Sequence, residues 1–275
     1  MAVTILLPPG ATFGPSVSAR AVDAAASTGS LLLLDFSRSD CLTTESASAS
    51  PVNLVAAQAA AVVGASVPGT DAPVDASAGR VSAGGGLALR TGVGDELRFG
   101  LPLAAHAQAT QNDVAVSFWL RSYLVDAVDP AQTTANHKVL SWGTSPFTEG
   151  FLYRYQVTAG NAFPSVLNGF DGALVQPPNL NALVTGTALH HVVVSSTEAW
   201  LDGVRVAQEA RVTFPAIDES IQVGPTTADA NLPADWARVY RVHVEDLTAS
   251  GRTVTEHVAA ERALVTGYHP MWSAE

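Results

Sequence analysis

Residues 190–208, HHVVVSSTEAWLDGVRVAQ, decide the fold class because they combine β-rich runs with a strong turn signal. A type I′ turn needs positive φ at both central residues, and Asp202-Gly203 suits that conformation best. We therefore expect residues 199–201 and 204–207 to pair as antiparallel strands. The β-branched run 192–194 precedes the polar residues 195–197, which favour a second turn. The stretch predicts a three-stranded meander.

The composition of the chain is that of a globular protein, with 275 residues of which 47% are hydrophobic and 14% charged. The formal net charge is −11, and clusters of Lys and Arg are absent, which argues against nucleic acids and anionic membrane surfaces as partners. The longest strongly apolar run, residues 31–34, is far below the roughly 20 residues that cross a bilayer. No basic region precedes the apolar start of the chain, so no secretion signal is predicted.

Alternating or β-rich segments recur along the rest of the chain, separated by Gly, Pro, Asp or Asn. They are residues 31–37, 80–90, 95–101, 113–122, 137–143, 150–157, 220–224 and 236–245. One helix is expected near the C terminus, where Thr253 and Glu256 fit a capping box. Val254, Val258 and Val265 form its apolar stripe, and Gly267 is placed to end it. Residues 1–30 read as an N-terminal arm of a domain that spans residues 31–275.

The order of these segments resembles a known family. The segments concerned are DVAVSFWLRS (113–122), HKVLSWG (137–143), HHVVVSS (190–196), AWLDGVRVA (199–207), IQVG (221–224) and ARVYRVHVEDLTASGRTVTEHV (237–258). Over about residues 31–265 they are similar to laminin-G-like domains of the concanavalin A-like lectin/glucanase superfamily. The resemblance implies an all-β fold, a two-sheet antiparallel jelly-roll sandwich with one short C-terminal helix and an extended N-terminal arm. It also implies that Trp119 is buried.

The resemblance does not by itself imply a function, because this fold carries lectins, glycosidases, adhesion modules and scaffolds alike. The sequence also departs from the family pattern. Its closing segment has extra residues between Leu247 and Glu256, and the 1–30 arm lies outside the match.

Catalysis is not expected. Glucanases of this superfamily carry an E-x-D-x-x-E string, because a nucleophile and an acid must face one sugar bond about 5 Å apart. That string is absent. The acidic residues are expected to be solvated edge charges; those considered are Glu198, Glu209, Asp218, Glu219, Glu245 and Asp246. His190 and His191 are not expected to form a metal pair, since strand neighbours diverge, one towards the core edge and the other towards the surface. No G-x-S-x-G elbow activates a serine.

A binding function would use an aromatic platform with carboxylate and amide groups. The candidate glycan-binding residues are Trp200, Asp126, Asp129, Asn168 and Asp171, although each Asp and Asn also suits a turn. Trp200 is the tryptophan most suited to exposure. Calcium, which takes about 6–8 oxygen ligands, is compatible with such a fold, but no residue pattern supports it. No cofactor is predicted, and the question of a metal stays open. Cys41, the only cysteine, excludes an intrachain disulfide and is expected to be buried and unreactive.

An assembly function is suggested by the arm. Val3, Ile5, Leu6 and Leu7 carry apolar area that needs burial, and Pro8-Pro9 keeps the segment extended. Without a disulfide or secretion signal, the chain suits synthesis in a bacterial cytosol and release by lysis. We expect a non-enzymatic virion structural protein, a capsid decoration, fibre or tail-associated component, that attaches through its arm to other virion proteins or to copies of itself. A cell-surface glycan is a further candidate partner. The alternative is a soluble carbohydrate-binding module.

Overall fold

The computed structural model describes residues 23–38, 40–41, 51–64, 85–89, 97–99, 114–122, 135–142, 151–158, 161–168, 174–175, 188–195, 197–208, 221–223 and 237–267. Strands dominate these residues and pair antiparallel throughout, and the helices are short. The protein is therefore mainly antiparallel β-sheet, as the sequence predicted. In this described part, no helix is both long enough and apolar enough to cross a membrane.

The strands form two sheets within the described residues. The strands of the first sheet are β1 (Ser30–Asp35), β2 (Leu87–Leu89), β4 (Val114–Ser122), β9 (His190–Val194), β10 (Glu198–Leu201), β11 (Val204–Gln208) and β13 (Ala237–Asp246). The strands of the second are β3 (Leu97–Phe99), β5 (Ala135–Trp142), β6 (Phe151–Thr158), β7 (Asn161–Asn168), β8 (Leu174–Val175) and β12 (Ile221–Val223). The first sheet has the order β1-β13-β4-β9-β10-β11, with β2 also paired to β13, and the second has the order β3-β12-β5-β6-β7-β8.

The meander predicted from residues 190–208 is confirmed. Strand β10 pairs with β9 on one side and with β11 on the other. The backbone has positive φ at both Asp202 (51°) and Gly203 (84°), as a type I′ turn requires. The Asp202 carboxylate then fixes the turn, because it accepts hydrogen bonds from the backbone N–H of His191 at 2.9 Å and from Nδ1 of His190 at 2.7 Å.

The seven-stranded sheet is buried on both faces around β13. Val242 and Val244 are fully buried on one face, while Arg241, His243 and Glu245 are fully buried on the other. Successive residues of a strand point to opposite faces, so the chain places an apolar row and a polar row on the same strand. The polar row is the feature that positions the candidate site.

Three helices lie among the described residues: α1 (Ala56–Val63), α2 (Leu247–Ser250) and α3 (Val254–Gly267). Only α3 was predicted, and its capping box is confirmed. The Glu256 N–H donates to Thr253 Oγ1 at 3.2 Å, and the Thr253 N–H donates back to Glu256 Oε2 at 2.8 Å. Val258 is buried against Ala115 and Val193 of the sheet, with Val254 packed beside them. The apolar stripe therefore seats α3 on β4 and β9.

Strand β1 is protected at the edge that does not face β13. The Asn53 side chain accepts from the backbone N–H of Leu33 at 3.0 Å and donates to the carbonyl of Leu31 at 2.9 Å. It thereby satisfies backbone groups that a neighbouring strand would otherwise pair. Strands β7 and β8 and helices α1 and α2 were not predicted from the sequence.

Candidate functional site

Helix α3 covers a set of buried charged side chains on the polar row of the seven-stranded sheet. We call them the buried charge cluster: Asp23, Arg241, His243, Glu245, His257 and Glu261. Three members are on β13, two are on α3, and Asp23 comes from the segment before β1. The cluster therefore joins the last described elements of the chain to the segment that precedes β1.

Arg241 is the centre of the cluster, and its side chain is fully buried. Its Nε and Nη2 donate to the two carboxylate oxygens of Glu261 at 2.8 and 2.9 Å. Its Nη1 and Nη2 donate to the two oxygens of Asp23 at 2.8 and 2.9 Å. Both contacts are bidentate, the geometry in which a guanidinium binds carboxylates most strongly. The guanidinium is thus held between two carboxylates.

Residues 23–30 lie against β13 and the helices that follow it. The backbone N–H of Asp246 donates to the carbonyl of Gly29 at 2.8 Å, and Arg252 donates to the carbonyl of Ala25 at 2.7 Å. A Cβ at Gly29 would stand 2.2 Å from the Asp246 carbonyl oxygen, so only glycine permits this approach. These contacts fall within the stretch assigned to the arm, whereas Val3, Ile5, Leu6 and Leu7 lie outside the described residues.

Ser30, His243 and Glu261 are connected in the manner of a catalytic triad. Ser30 Oγ is 2.9 Å from His243 Nε2, and His243 Nδ1 is 2.8 Å from Glu261 Oε1. A serine activated by a histidine that a carboxylate orients is the arrangement of many hydrolases. Ser30 and His243 have no exposed surface, however, and Ser30 Oγ already accepts a hydrogen bond from the backbone N–H of Ser27 at 2.8 Å. In this conformation a substrate cannot reach Ser30 Oγ.

Glu245 and His257 form a second pair beside the first. Nδ1 of His257 lies 2.6 Å from Glu245 Oε2, and the Ser27 hydroxyl donates to Glu245 Oε1 at 2.6 Å. Arg252, a quarter of whose side chain is exposed, approaches the same carboxylate at 3.5 Å. Glu245 therefore links β13 to α3 and to the segment before β1.

A third histidine lies on the same face of the sheet. His191 stacks on Trp119 with ring centroids 4.2 Å apart, and its Nε2 is 2.9 Å from Ser117 Oγ. Trp119 in turn donates its indole N–H to Glu261 at 3.2 Å, so the stacked pair borders the charge cluster. Burial lowers the pKa of His191 to about 3, and its imidazole is neutral at physiological pH.

The electrostatics of the cluster keep its carboxylates ionised. Burial opposes ionisation of Glu261, but the Arg241 charge and the His243 hydrogen bond outweigh it and hold the pKa well below its usual range. Burial likewise opposes ionisation of Glu245, but the hydrogen bonds from His257 and Ser27 and the two nearby imidazoles together outweigh it and lower the pKa to about 2. Burial lowers the pKa of His243 despite its contact with Glu261.

Two expectations about charged residues are wrong. Glu245 and Asp246 are buried, not solvated edge charges: Glu245 enters the cluster, and Asp246 accepts the N–H of Ala249 at 2.9 Å as the N-cap of α2. His190 and His191 are both buried, because Asp202 engages His190 while His191 lies under Trp119. Neither histidine is at the surface. Glu198 is half-buried, and Glu209, Asp218 and Glu219 lie outside the described residues.

The residues predicted to bind glycan are not brought together among the described residues. Trp200 is half-buried and packs beside Val193 and Val258, and its indole N–H donates to Glu198 at 2.8 Å. Asn168 is the last residue of β7, a strand position where a loop was predicted. Asp126, Asp129 and Asp171 lie outside the described residues. Trp119 and Cys41 are buried, as predicted.

Sequence reasoning missed the charge cluster, although two spacings could have revealed it. Arg241, His243 and Glu245 alternate along one strand, which places them on one face. His257 and Glu261 are four residues apart on a helix, which places them on one stripe. Each pattern alone resembles a solvated face, and only their contact with each other shows that both are buried.

No family model and no curated protein matches this chain. Solved structures with a similar backbone include the binding domain of Paraclostridial Mosquitocidal Protein 1, at 11% identity and a TM-score of 0.50, covering 86% of this chain and 52% of that one. A Trypanosoma rangeli sialidase complex matches at 10% identity and a TM-score of 0.48, covering 93% and 36%. The receptor binding domain of botulinum neurotoxin C/D mosaic serotype matches at 10% and 0.48, covering 86% and 52%.

The chain spans about a third to a half of the length of these structures. The likeness to the mosquitocidal protein domain concerns the fold alone, and it agrees with an all-β sandwich.

Proposed function

We propose that this chain is a non-enzymatic display module of a virion, a capsid decoration, fibre or tail-associated component built as a two-sheet jelly-roll sandwich with an extended N-terminal arm. The apolar residues Val3, Ile5, Leu6 and Leu7 attach it to other virion proteins or to copies of itself. The sandwich presents its loops outward, towards a surface such as that of the host cell.

The observation that supports the absence of catalysis is that the hydrogen-bonded series Ser30, His243 and Glu261, here called the array, is enclosed by the protein. Ser30 and His243 are fully buried, and Glu261 is engaged by Arg241 and Trp119 as well as by His243. A catalytic triad needs a nucleophile at the surface of a pocket where substrate can approach within about 3 Å. The array is better explained as a clamp that fixes α3 and the segment before β1 to the sheet.

The second candidate is a soluble carbohydrate-binding module. Its support is limited to a fold shared with the binding domain of Paraclostridial Mosquitocidal Protein 1 at a TM-score of 0.50, which suggests binding but no particular ligand. Trp200, Asp126, Asp129, Asn168 and Asp171 would supply the glycan contacts. Trp200 is half-buried, with its indole N–H held by Glu198, so it would offer only the edge of a stacking surface.

Reaction with a fluorophosphonate probe tests the non-enzymatic part, because such probes label serines that a histidine activates. We expect no labelling of the folded chain, and Ser30→Ala is the matched control. Labelling of wild type that disappears in Ser30→Ala would show that the array is an active site.

Gold-labelled antibodies raised against the chain test the virion part on particles purified from a lysate of cells that produce it. We expect label on the particles. Label confined to the soluble fraction, with retention of the chain on a glycan array, would favour the carbohydrate-binding module.

A further inference from the structure

His243, Glu245 and His257 bring two imidazoles and a carboxylate together beneath α3. Their candidate ligand atoms all lie within 4.8 Å of one another, and all three residues are buried. The two imidazole rings are 4.9 Å apart between centroids. Metal–ligand bonds of about 2.0–2.2 Å allow ligand atoms to lie up to about 4.4 Å apart, so small ring rotations would bring the three onto one ion.

The surroundings of these residues resemble the outer shell of a metal site. His243 Nδ1 is paired with Glu261, which leaves Nε2 as its ligand atom, and a carboxylate that orients a ligating histidine is a recurrent feature of such sites. The Ser27 hydroxyl holds Oε1 of Glu245, while Oε2 faces His257 Nδ1 at 2.6 Å and would exchange that hydrogen bond for a bond to the ion. Ser30 Oγ, 2.9 Å from His243 Nε2, is a further oxygen at the same place.

His257 supplies an independent observation. Its Nδ1 contacts Glu245, but its Nε2 is buried with no hydrogen-bond partner among the described residues. A buried polar atom without a partner is destabilising, because it has lost its hydrogen bonds to water and gained none in return. An ion with its bound water would supply the interaction that the protein does not.

The charges around the three residues favour a cation. Asp23, Glu245 and Glu261 carry three negative charges, and Arg241 and Arg252 carry two positive ones, so with neutral histidines the group has one negative charge in excess. Asp35 and Arg38, which border it, add one charge of each sign.

Arg252 also provides a route to the site. Its side chain is a quarter exposed, and it contacts Glu245 from the turn between α2 and α3. Displacing one flexible side chain would open a path for an ion from solvent to Glu245.

We propose that His243, Glu245 and His257 form a binding site for a divalent transition-metal ion, with Zn²⁺ the best fit. Two imidazoles and one carboxylate suit Zn²⁺ and its neighbours in the first transition row, whereas Ca²⁺ and Mg²⁺ prefer oxygen ligands alone. The ion would join β13 to α3, and none of its three ligands is among the residues predicted to bind glycan.

The test uses the full, untagged chain after treatment with a chelator, titrated with Co²⁺ and with Zn²⁺. We expect visible d–d absorption bands of low-coordinate Co²⁺ that Zn²⁺ abolishes, and a higher midpoint of thermal unfolding with Zn²⁺. We expect His257→Gln to lose both effects. Ser27→Ala should weaken Zn²⁺ binding by roughly 10- to 100-fold, the usual cost of removing an outer-shell partner.

Ser117→Ala is the matched control, because it removes a buried serine–histidine hydrogen bond on the same face whose partner, His191, is not one of the three ligands. It should bind Zn²⁺ as wild type does. The proposal is overturned if wild type gives no such Co²⁺ bands, or if folded His257→Gln binds Zn²⁺ as tightly as wild type. If circular dichroism shows that His257→Gln does not fold, Ser27→Ala decides: unchanged affinity overturns the proposal.

Discussion

At the scale of single residues, Arg241 determines how the buried charges are balanced. Its guanidinium is enclosed between Glu261 and Asp23, with bidentate contacts to both. Removing two or more charges from water is costly, and the cost is recovered only when hydrogen-bond geometry is nearly complete, as it is here. The consequence is an all-or-none arrangement, in which losing one partner leaves the others buried and uncompensated.

We therefore expect Arg241→Met to lower the free energy of unfolding by about 3–5 kcal/mol, because it removes the cation that binds Asp23 and Glu261 and that lies 3.6 Å from the buried Asp35. Denaturant unfolding followed by circular dichroism measures this. The triple variant Arg241→Met, Glu261→Leu and Asp23→Leu should recover part of the loss, since it removes the two carboxylates that Arg241 binds by hydrogen bonds while Asp35 remains. A single variant as stable as wild type would contradict the central role of Arg241.

His191 gives the protein a second residue-scale property, a dependence of stability on pH. Burial lowers its folded-state pKa to about 3, whereas an unfolded histidine titrates near 6.5. Between these values the unfolded state binds a proton that the folded state does not. Stability contributed by this residue is therefore present above about pH 6.5 and is lost as the pH falls, at up to about 1.4 kcal/mol per pH unit.

His191→Gln should reduce this slope between pH 6.5 and 4, since glutamine does not titrate. Unfolding free energies of wild type and variant, compared at several pH values, isolate the effect from that of the carboxylates. Parallel pH profiles for the two proteins would mean that His191 takes up a proton without unfolding.

At the scale of elements, the β10–β11 hairpin is fixed by its turn rather than by its burial. Strand β11 is largely exposed, with Val204 61% accessible, so little apolar contact holds it in register. The positive φ values of Asp202 and Gly203, and the hydrogen bonds from His190 and His191 to the Asp202 carboxylate, define the turn instead.

Gly203→Val should lower the free energy of unfolding by roughly 1–3 kcal/mol, because it forces a β-branched residue to positive φ. The added side chain would also meet Arg262, because a Cβ at position 203 would stand 2.8 Å from Arg262 Cδ, although that long side chain can move aside. Val204→Thr, a change at an exposed neighbour, is the control and should have little effect. A denaturant melt in which Gly203→Val matches wild type would contradict the turn assignment.

At the scale of the whole molecule, contacts that begin at Asp23 tie the start of the described chain to its end. Asp23, Ser27 and Ser30 reach Arg241, Glu245 and His243 respectively. The chain thus closes on itself through polar contacts, in addition to the strand pairing of β1 with β13.

Deleting residues 2–14 removes none of these contacts, so we expect the truncated chain to fold with a melting transition within a few degrees of wild type. Under the proposed virion function, the same deletion should abolish incorporation into particles, because it removes Val3, Ile5, Leu6 and Leu7. Calorimetry and the composition of purified particles measure the two effects. Normal incorporation of the truncated chain would place attachment elsewhere, and unfolding would assign residues 2–14 to the domain.

The sequence by itself determined the β-rich character, the Asp202-Gly203 hairpin and the capped C-terminal helix. Each depends on residues close together in the chain: turn chemistry at two positions, alternation along a strand, and a capping box spanning Thr253 to Glu256. Interactions between near neighbours in the chain can be predicted from a short pattern, because no other element is needed to form them.

Only the tertiary structure decided which charged residues are buried and which groups they bind. From the sequence, Glu245 and Glu261 would be taken for surface carboxylates. No nearby pattern in the chain shows that Arg241 will face Glu261, or that His257 will face Glu245, where β13 packs against α3. Asp23 is 218 residues from Arg241 in the chain, and it can accept hydrogen bonds from that guanidinium only once the fold brings the two residues together. Burial of a charge is decided by its partners, and here the partners come from different elements.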